Sequence, residues 1–170
     1  MNDMVDDFDL DEDVSDVEDI ISFSNPPKGI HLYGIVFAGL DKIGASEDAT
    51  KGVRIIYQHI VTEQKAKAED MDVAPGSLFG EQFQGGEVGK KWLKKRLTAM
   101  FGELTGPFGP YIRQLQEKKM SEYWVRLTTS IATSKKDGNE YENVRIQDLK
   151  LIPAGELPEG FKVFEYEPAE

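Results

Sequence analysis

The sequence predicts a β-rich fold, all-β or α+β: a five-stranded barrel with one or two helices inserted between strands 3 and 4. Three observations carry that expectation. Runs that alternate or are rich in β-branched and aromatic residues fall at 29–43, 51–63, 123–133 and 141–149. One helical stripe lies between the second and third of these, with Leu93, Leu97, Met100, Phe101 and Leu104 at i, i+4, i+7, i+8 and i+11. The charge is unevenly placed, and the excess of acid lies at the two ends.

The 170 residues fit one domain with tails and can bury a core without staples. There is no cysteine, so disulfides, thiolate metal sites and cysteine nucleophiles are excluded, and a reducing cytoplasm is the expected compartment. No apolar run reaches the ~18 residues of a membrane helix. The acidic amino end is unlike a signal peptide, so neither a membrane nor export is expected.

The net charge of −11 looks hostile to nucleic acid until it is located. Residues 1–20 hold ten acids and no base, and residues 153–170 hold five acids against Lys162. The stretch 21–152 carries 16 acids against 19 bases, a mildly basic body between acidic ends. The expected division is therefore 1–25 as an acidic tail, 26–153 as the domain and 154–170 as an acidic extension.

Ten like charges with little apolar surface predict a first segment that is disordered when free. Phe8, Leu10, Val14, Val17 and Ile21 interrupt the acids, and the last four share a helical spacing. This is either a solvating tail or a recognition segment. The second reading has it ordering on a partner, through Phe8 and Leu10, or folding back on the basic body. Asn25-Pro26-Pro27 ends any helix there.

Gly29–Ile43 and Lys51–Glu63 read as the first two strands, and the shorter apolar run Ser77–Phe83 as a third. The stretch GGEVGKKWLKKRLTAMFGEL is the amphipathic helix, and a second helix is expected from Pro110 to about Lys119. Tyr123–Thr133 and Tyr141–Leu149 alternate around Lys136-Asp137-Gly138-Asn139, a hairpin turn. The residues from Pro153 read as irregular. The order β-β-β-α(α)-β-β is that of the oligonucleotide-binding (OB) barrel, whose helix follows the third strand.

Three stretches, PPKGIHLYGIVFAGLDKIG, PGSLFGEQFQ…GKKWLKKRL and KKDGNEYENVRIQDLKLIP, resemble phage-encoded single-stranded DNA-binding proteins of the OB type, over residues 26–153. The motifs are diffuse: a glycine-punctuated strand, a short strand leading to a basic helix, and a closing hairpin. The resemblance implies coating of single strands during phage DNA replication or recombination. It also implies an acidic tail that contacts replication or recombination proteins, here at the amino end.

Sequence-independent binding of single strands needs cations for phosphates and flat rings for bases. Alternation puts Tyr123, Val125, Leu127 and Ile131 on the core face of one strand, leaving Trp124, Arg126, Thr128 and Ser130 outside. In the next strand Tyr141, Asn143, Arg145 and Gln147 point outward. The expected interface is Trp124, Arg126, Tyr141 and Arg145, with Arg54 and the turn residues Lys135 and Lys136 as further phosphate contacts. In the first strand His31, Tyr33, Ile35 and Phe37 form a face too apolar for plain solvent. It is a stacking platform that includes Tyr33 and Phe37, an interface between copies, or a face covered by helices. Lys90, Lys91, Lys94, Lys95 and Arg96 around Trp92 are a phosphate rail, a dock for the acidic tail, or simply a wet helix face.

No catalytic signature accompanies these features. The phosphate-loop pattern fails because Gly89-Lys90 is followed by Lys91. His31 and His59 are the only histidines and match no metalloprotease spacing. The acidic run lacks the glycine and final glutamate of a calcium loop. The expectation is a binding protein rather than an enzyme, without cofactor or metal. The competing reading is a β-barrel interaction or virion protein whose aromatic face is a protein interface.

Overall fold

Long β-branched runs without interior proline form strands, and the glycine and proline clusters between them turn the chain. The computed structural model describes residues 10–11, 23–24, 26–43, 50–65 and 76–168, with the backbone alone at 50, 131–134 and 141–144. Its elements are β1 (Gly29–Ile43), β2 (Thr50–Lys65), β3 (Leu78–Phe83), α1 (Glu87–Phe101), α2 (Gly109–Glu122), β4 (Tyr123–Lys136) and β5 (Asn139–Pro153). All pairings among the five are antiparallel, in the order β3-β2-β1-β4-β5. The closed barrel expected from the sequence does not form. Among the described residues β3 and β5 are the two edges of an open sheet.

Both faces of that sheet are covered. On one side Tyr33, Ile35, Ile55, Tyr57, Val125, Leu127 and Leu149 pack against Leu93, Leu97 and Met100 of α1 and Ile112 and Leu115 of α2. On the other, Leu32, Val36, Phe37, Ile56, Ile60 and Trp124 lie under Leu157, Phe161, Phe164 and Tyr166 of the carboxyl-terminal segment. That segment has no regular structure, but it is tied down. The Phe164 amide donates to Gln58 Oε1 at 2.9 Å, and Gln58 Nε2 donates to the Lys162 carbonyl at 3.0 Å.

Bulges decide which side chain goes to which face. In β1 the partners step from Ile35↔Tyr57 to Phe37↔Ile56, so Val36 is the extra residue. Val36 and Phe37 therefore both face the carboxyl-terminal segment, while Tyr33 and Ile35 face the helices. The single alternating face expected for His31, Tyr33, Ile35 and Phe37 is split at this point.

Two glycines set the helices close to the sheet. A Cβ on Gly89, in the first turn of α1, would lie 2.0 Å from the Gln84 carbonyl oxygen, so α1 begins hard against the end of β3. A Cβ on Gly34 would lie 2.6 Å from Met120 Cβ, where α2 breaks at Lys119 (φ 43°) and passes β1. The β4–β5 hairpin turns at Asp137 (φ 55°) and Gly138 (φ 80°), the paired positive angles that a two-residue type I′ turn requires. No described helix is long and apolar enough to cross a membrane.

Candidate nucleic-acid interface

The two unpaired edges leave a seam, and α1 packs against both β3 and β5 across it. Beside the helix the seam widens into a cleft of about 1070 Å³. Phe79 to Phe83 of β3 and the following Gln84 form one wall, Arg145 and Ile146 of β5 the other, and Val88, Trp92 and Lys95 of α1 the rim. Trp92 is 55 % exposed, and Lys95 Nζ stands 5.1 Å from its ring centroid. Phe79 is stacked on the buried Tyr57 ring, with centroids 5.5 Å apart and planes 19° apart. Lys95, Arg96 and Arg145 oppose a single carboxylate among the described residues, Glu81.

That carboxylate is already engaged. Arg96 Nε donates to Glu81 Oε1 at 2.8 Å and Nη2 donates to Oε2 at 2.7 Å, while the Tyr57 hydroxyl donates to Oε1 at 2.7 Å. Burial works against the Arg96 charge, yet the hydrogen bonds and charge of Glu81 outweigh it and raise the guanidinium above its ordinary value. Burial, then Glu81, holds the Tyr57 phenol well above its usual range. With Glu81 neutralised in this way, Lys95 and Arg145 set the charge that a ligand in the cleft meets.

No family model, curated protein or solved structure matches this chain. The site therefore stands on its own geometry. Among the described residues no cluster of three or more His, Asp or Glu side chains could hold a metal ion.

The residues expected at the interface are not together. Arg145 is exposed on the wall of the cleft. Lys135 and Lys136 are exposed at the hairpin tip, and pairing puts Asn139 opposite Lys136 and Ser130 opposite Arg145, so Lys136 and Arg145 share a face while Lys135 takes the other. Tyr141 pairs through its backbone with Ser134, and its side chain lies outside the described residues, as does Phe8. Leu10 is 87 % exposed.

Three rings expected to stack on bases are buried. Trp124 does stand on the opposite face from Val125 and Leu127, but that face is not open. The carboxyl-terminal segment lies on it, Gly155 abuts the ring, and Trp124 Nε1 donates to the Met120 carbonyl at 3.1 Å. Tyr33 is packed under the helices, and Phe37 meets the Tyr166 ring at 5.0 Å. Two expected phosphate contacts are engaged elsewhere. Arg54 Nε donates to the buried Asp41 at 2.7 Å with the Tyr166 ring 5.9 Å away, and the Tyr166 hydroxyl donates to the same carboxylate. Arg126, on the outside, pairs with Glu63 at 2.6 Å.

Trp92 replaces Trp124 as the accessible ring. Its signal was present in KKWLKKR, an aromatic among cations one position from the apolar stripe. Val88 and Trp92 fall on one helical line off the Leu93–Leu97–Met100 face, so both project away from the core.

Proposed function

We propose that the chain binds single-stranded DNA in the cleft between β3 and β5, with Trp92 stacking on a base and Lys95, Arg145 and Lys136 neutralising phosphates. The observation that carries this reading is the exposed Trp92–Lys95 pair on the rim of a cleft whose opposite wall presents Arg145. Ring and cation side by side are what sequence-tolerant recognition of single strands requires, and base stacking contributes roughly 1–3 kcal/mol per base. The fold agrees with that use. In the OB architecture a five-stranded, partly open barrel binds oligonucleotides beside strands 2 and 3 and the loops joining strands 1 to 2 and 4 to 5. The cleft here adjoins β3, the end of β1 at Ile43 and the strand leading out of the β4–β5 hairpin. The resemblance of the sequence to phage single-stranded DNA-binding proteins supports a role in phage DNA replication or recombination.

Titration with oligo-dT tests this. Trp124 is sealed, so quenching of intrinsic fluorescence on binding should come from Trp92 and disappear in Trp92→Phe. Affinity should fall as salt rises, with a log–log slope of about −0.7 per phosphate neutralised. A protein lacking residues 1–20 that binds no oligo-dT at low salt would sink the proposal. Val88 and Trp92, one turn apart and 67 % and 55 % exposed, also suit a protein partner. That reading predicts self-association that masks Trp92 and is indifferent to added DNA.

A further inference from the structure

On the other side of the α1 amino terminus lies a second depression, of about 510 Å³, between the sheet and both helices. Its walls are apolar: Leu40 of β1, Leu93 of α1, and Phe108 and Ile112 at the start of α2. Lys51, Lys90 and Arg113, all exposed, stand around it, with Glu117 the one acid among the described residues. Leu40 is 60 % exposed, on a strand whose preceding apolar residues from Leu32 to Ala38 are buried. The volume suits one or two large side chains. An apolar seat with a cationic rim selects a segment that alternates large apolar residues with carboxylates.

This chain contains such a segment. Residues 1–20 hold ten acids and no base, interrupted by Phe8, Leu10, Val14 and Val17. Its point of attachment is fixed. Phe23 bridges Leu78 at the start of β3, and the Ser24 amide donates to the Leu78 carbonyl at 2.9 Å. From there to Phe83, which lines the depression, is about 17 Å along the strand. The 15 residues from Phe23 back to Phe8 can span about 50 Å. A tether of that length gives an effective concentration in the millimolar range, far above that of a second molecule in dilute solution.

We propose that this depression is the dock for the chain's own acidic amino-terminal segment, an apolar side chain from Phe8–Leu10 seated between Leu40 and Phe108 and its flanking carboxylates facing Lys51, Lys90 and Arg113. Leu10 is 87 % exposed in this structure, so the form with Leu10 in the seat is a second state. The proposal does not rest on the nucleic-acid reading: the depression adjoins the Trp92 cleft at Phe83 and Gln84, but Leu40, Lys51, Lys90, Phe108 and Arg113 belong to it alone.

The absence of native cysteine makes cross-linking in the full chain a clean test. Ser15→Cys is combined with Glu117→Cys beside the depression or, as control, with Val163→Cys on the carboxyl-terminal segment. Val163 lies between two residues bonded to Gln58, which pairs with Leu78, so the control is the nearer to the tether. An undirected segment should close the control pair faster. Docking should reverse that order, with intramolecular disulfide closure in the Ser15→Cys/Glu117→Cys variant about tenfold faster at micromolar protein, and Lys90→Glu/Arg113→Glu should abolish the preference. Equal or control-favouring rates, or disulfides formed mainly between chains, would overturn the proposal.

Discussion

Glu81 of β3 and Arg96 of α1 meet in a two-point ion pair, with contacts of 2.7 and 2.8 Å and side chains only 14 % and 17 % exposed. The pair clamps the helix to the sheet edge, and the Tyr57 hydroxyl shares the carboxylate. Removing one partner strands the other charge away from water. Arg96→Met should cost about 3 kcal/mol. Glu81→Leu/Arg96→Met, which leaves no charge behind, should recover much of that loss. Urea unfolding of both variants decides the matter, and equal midpoints would show that the pair does not act as a unit.

Arg145 and Arg54 should separate a ligand contact from a structural cation. Arg145→Ala should weaken oligo-dT binding and reduce the log–log salt slope by about one. Arg54→Ala should leave that slope unchanged while lowering the melting temperature, because it uncovers Asp41 beneath Tyr166. A loss of slope in Arg54→Ala would mean that the Asp41 pair opens to admit phosphate.

Trp124→Phe should lower stability by roughly 1–3 kcal/mol, through the lost indole hydrogen bond and the space left under Gly155. Oligo-dT affinity should be unchanged. Calorimetry and the same fluorescence titration check the two halves, and a tenfold loss of affinity without unfolding would return Trp124 to the interface.

His31 supplies a pH dependence. It is buried, its Nδ1 lies 2.8 Å from Thr62 Oγ1, and the His59 ring centroid is 5.5 Å away. Burial lowers its pKa below the ordinary value of 6.5, opposed by the Lys28 and Pro27 carbonyls. The unfolded chain then binds the proton more readily than the folded one, so stability from this group is full above pH 6.5 and is lost as pH falls below it. Melting temperature should drop across that window, and His31→Asn should reduce the slope. An unaltered slope would assign the effect to other groups.

The element order, the helical stripe, the Pro110 start of α2 and the Asp137-Gly138 turn were all legible, because each depends on residues close together in the chain. What lay over each strand face was not. Alternation separated Trp124 from Val125 correctly, but only tertiary packing brings 154–166 across the sheet onto Trp124. A hint existed in Phe161, Phe164 and Tyr166, three rings in a stretch otherwise read as irregular and acidic. The Val36 bulge and the unjoined β3 and β5 edges likewise leave no local trace.

Because no ladder bonds join β3 to β5, no backbone among the described residues roofs the trough beside Trp92. A polymer can be laid into it sideways and lifted out again at any point along its length. Under the proposed reading such a binder would need no chain ends, and circles and gaps flanked by duplex should be as accessible to it as free linear strands.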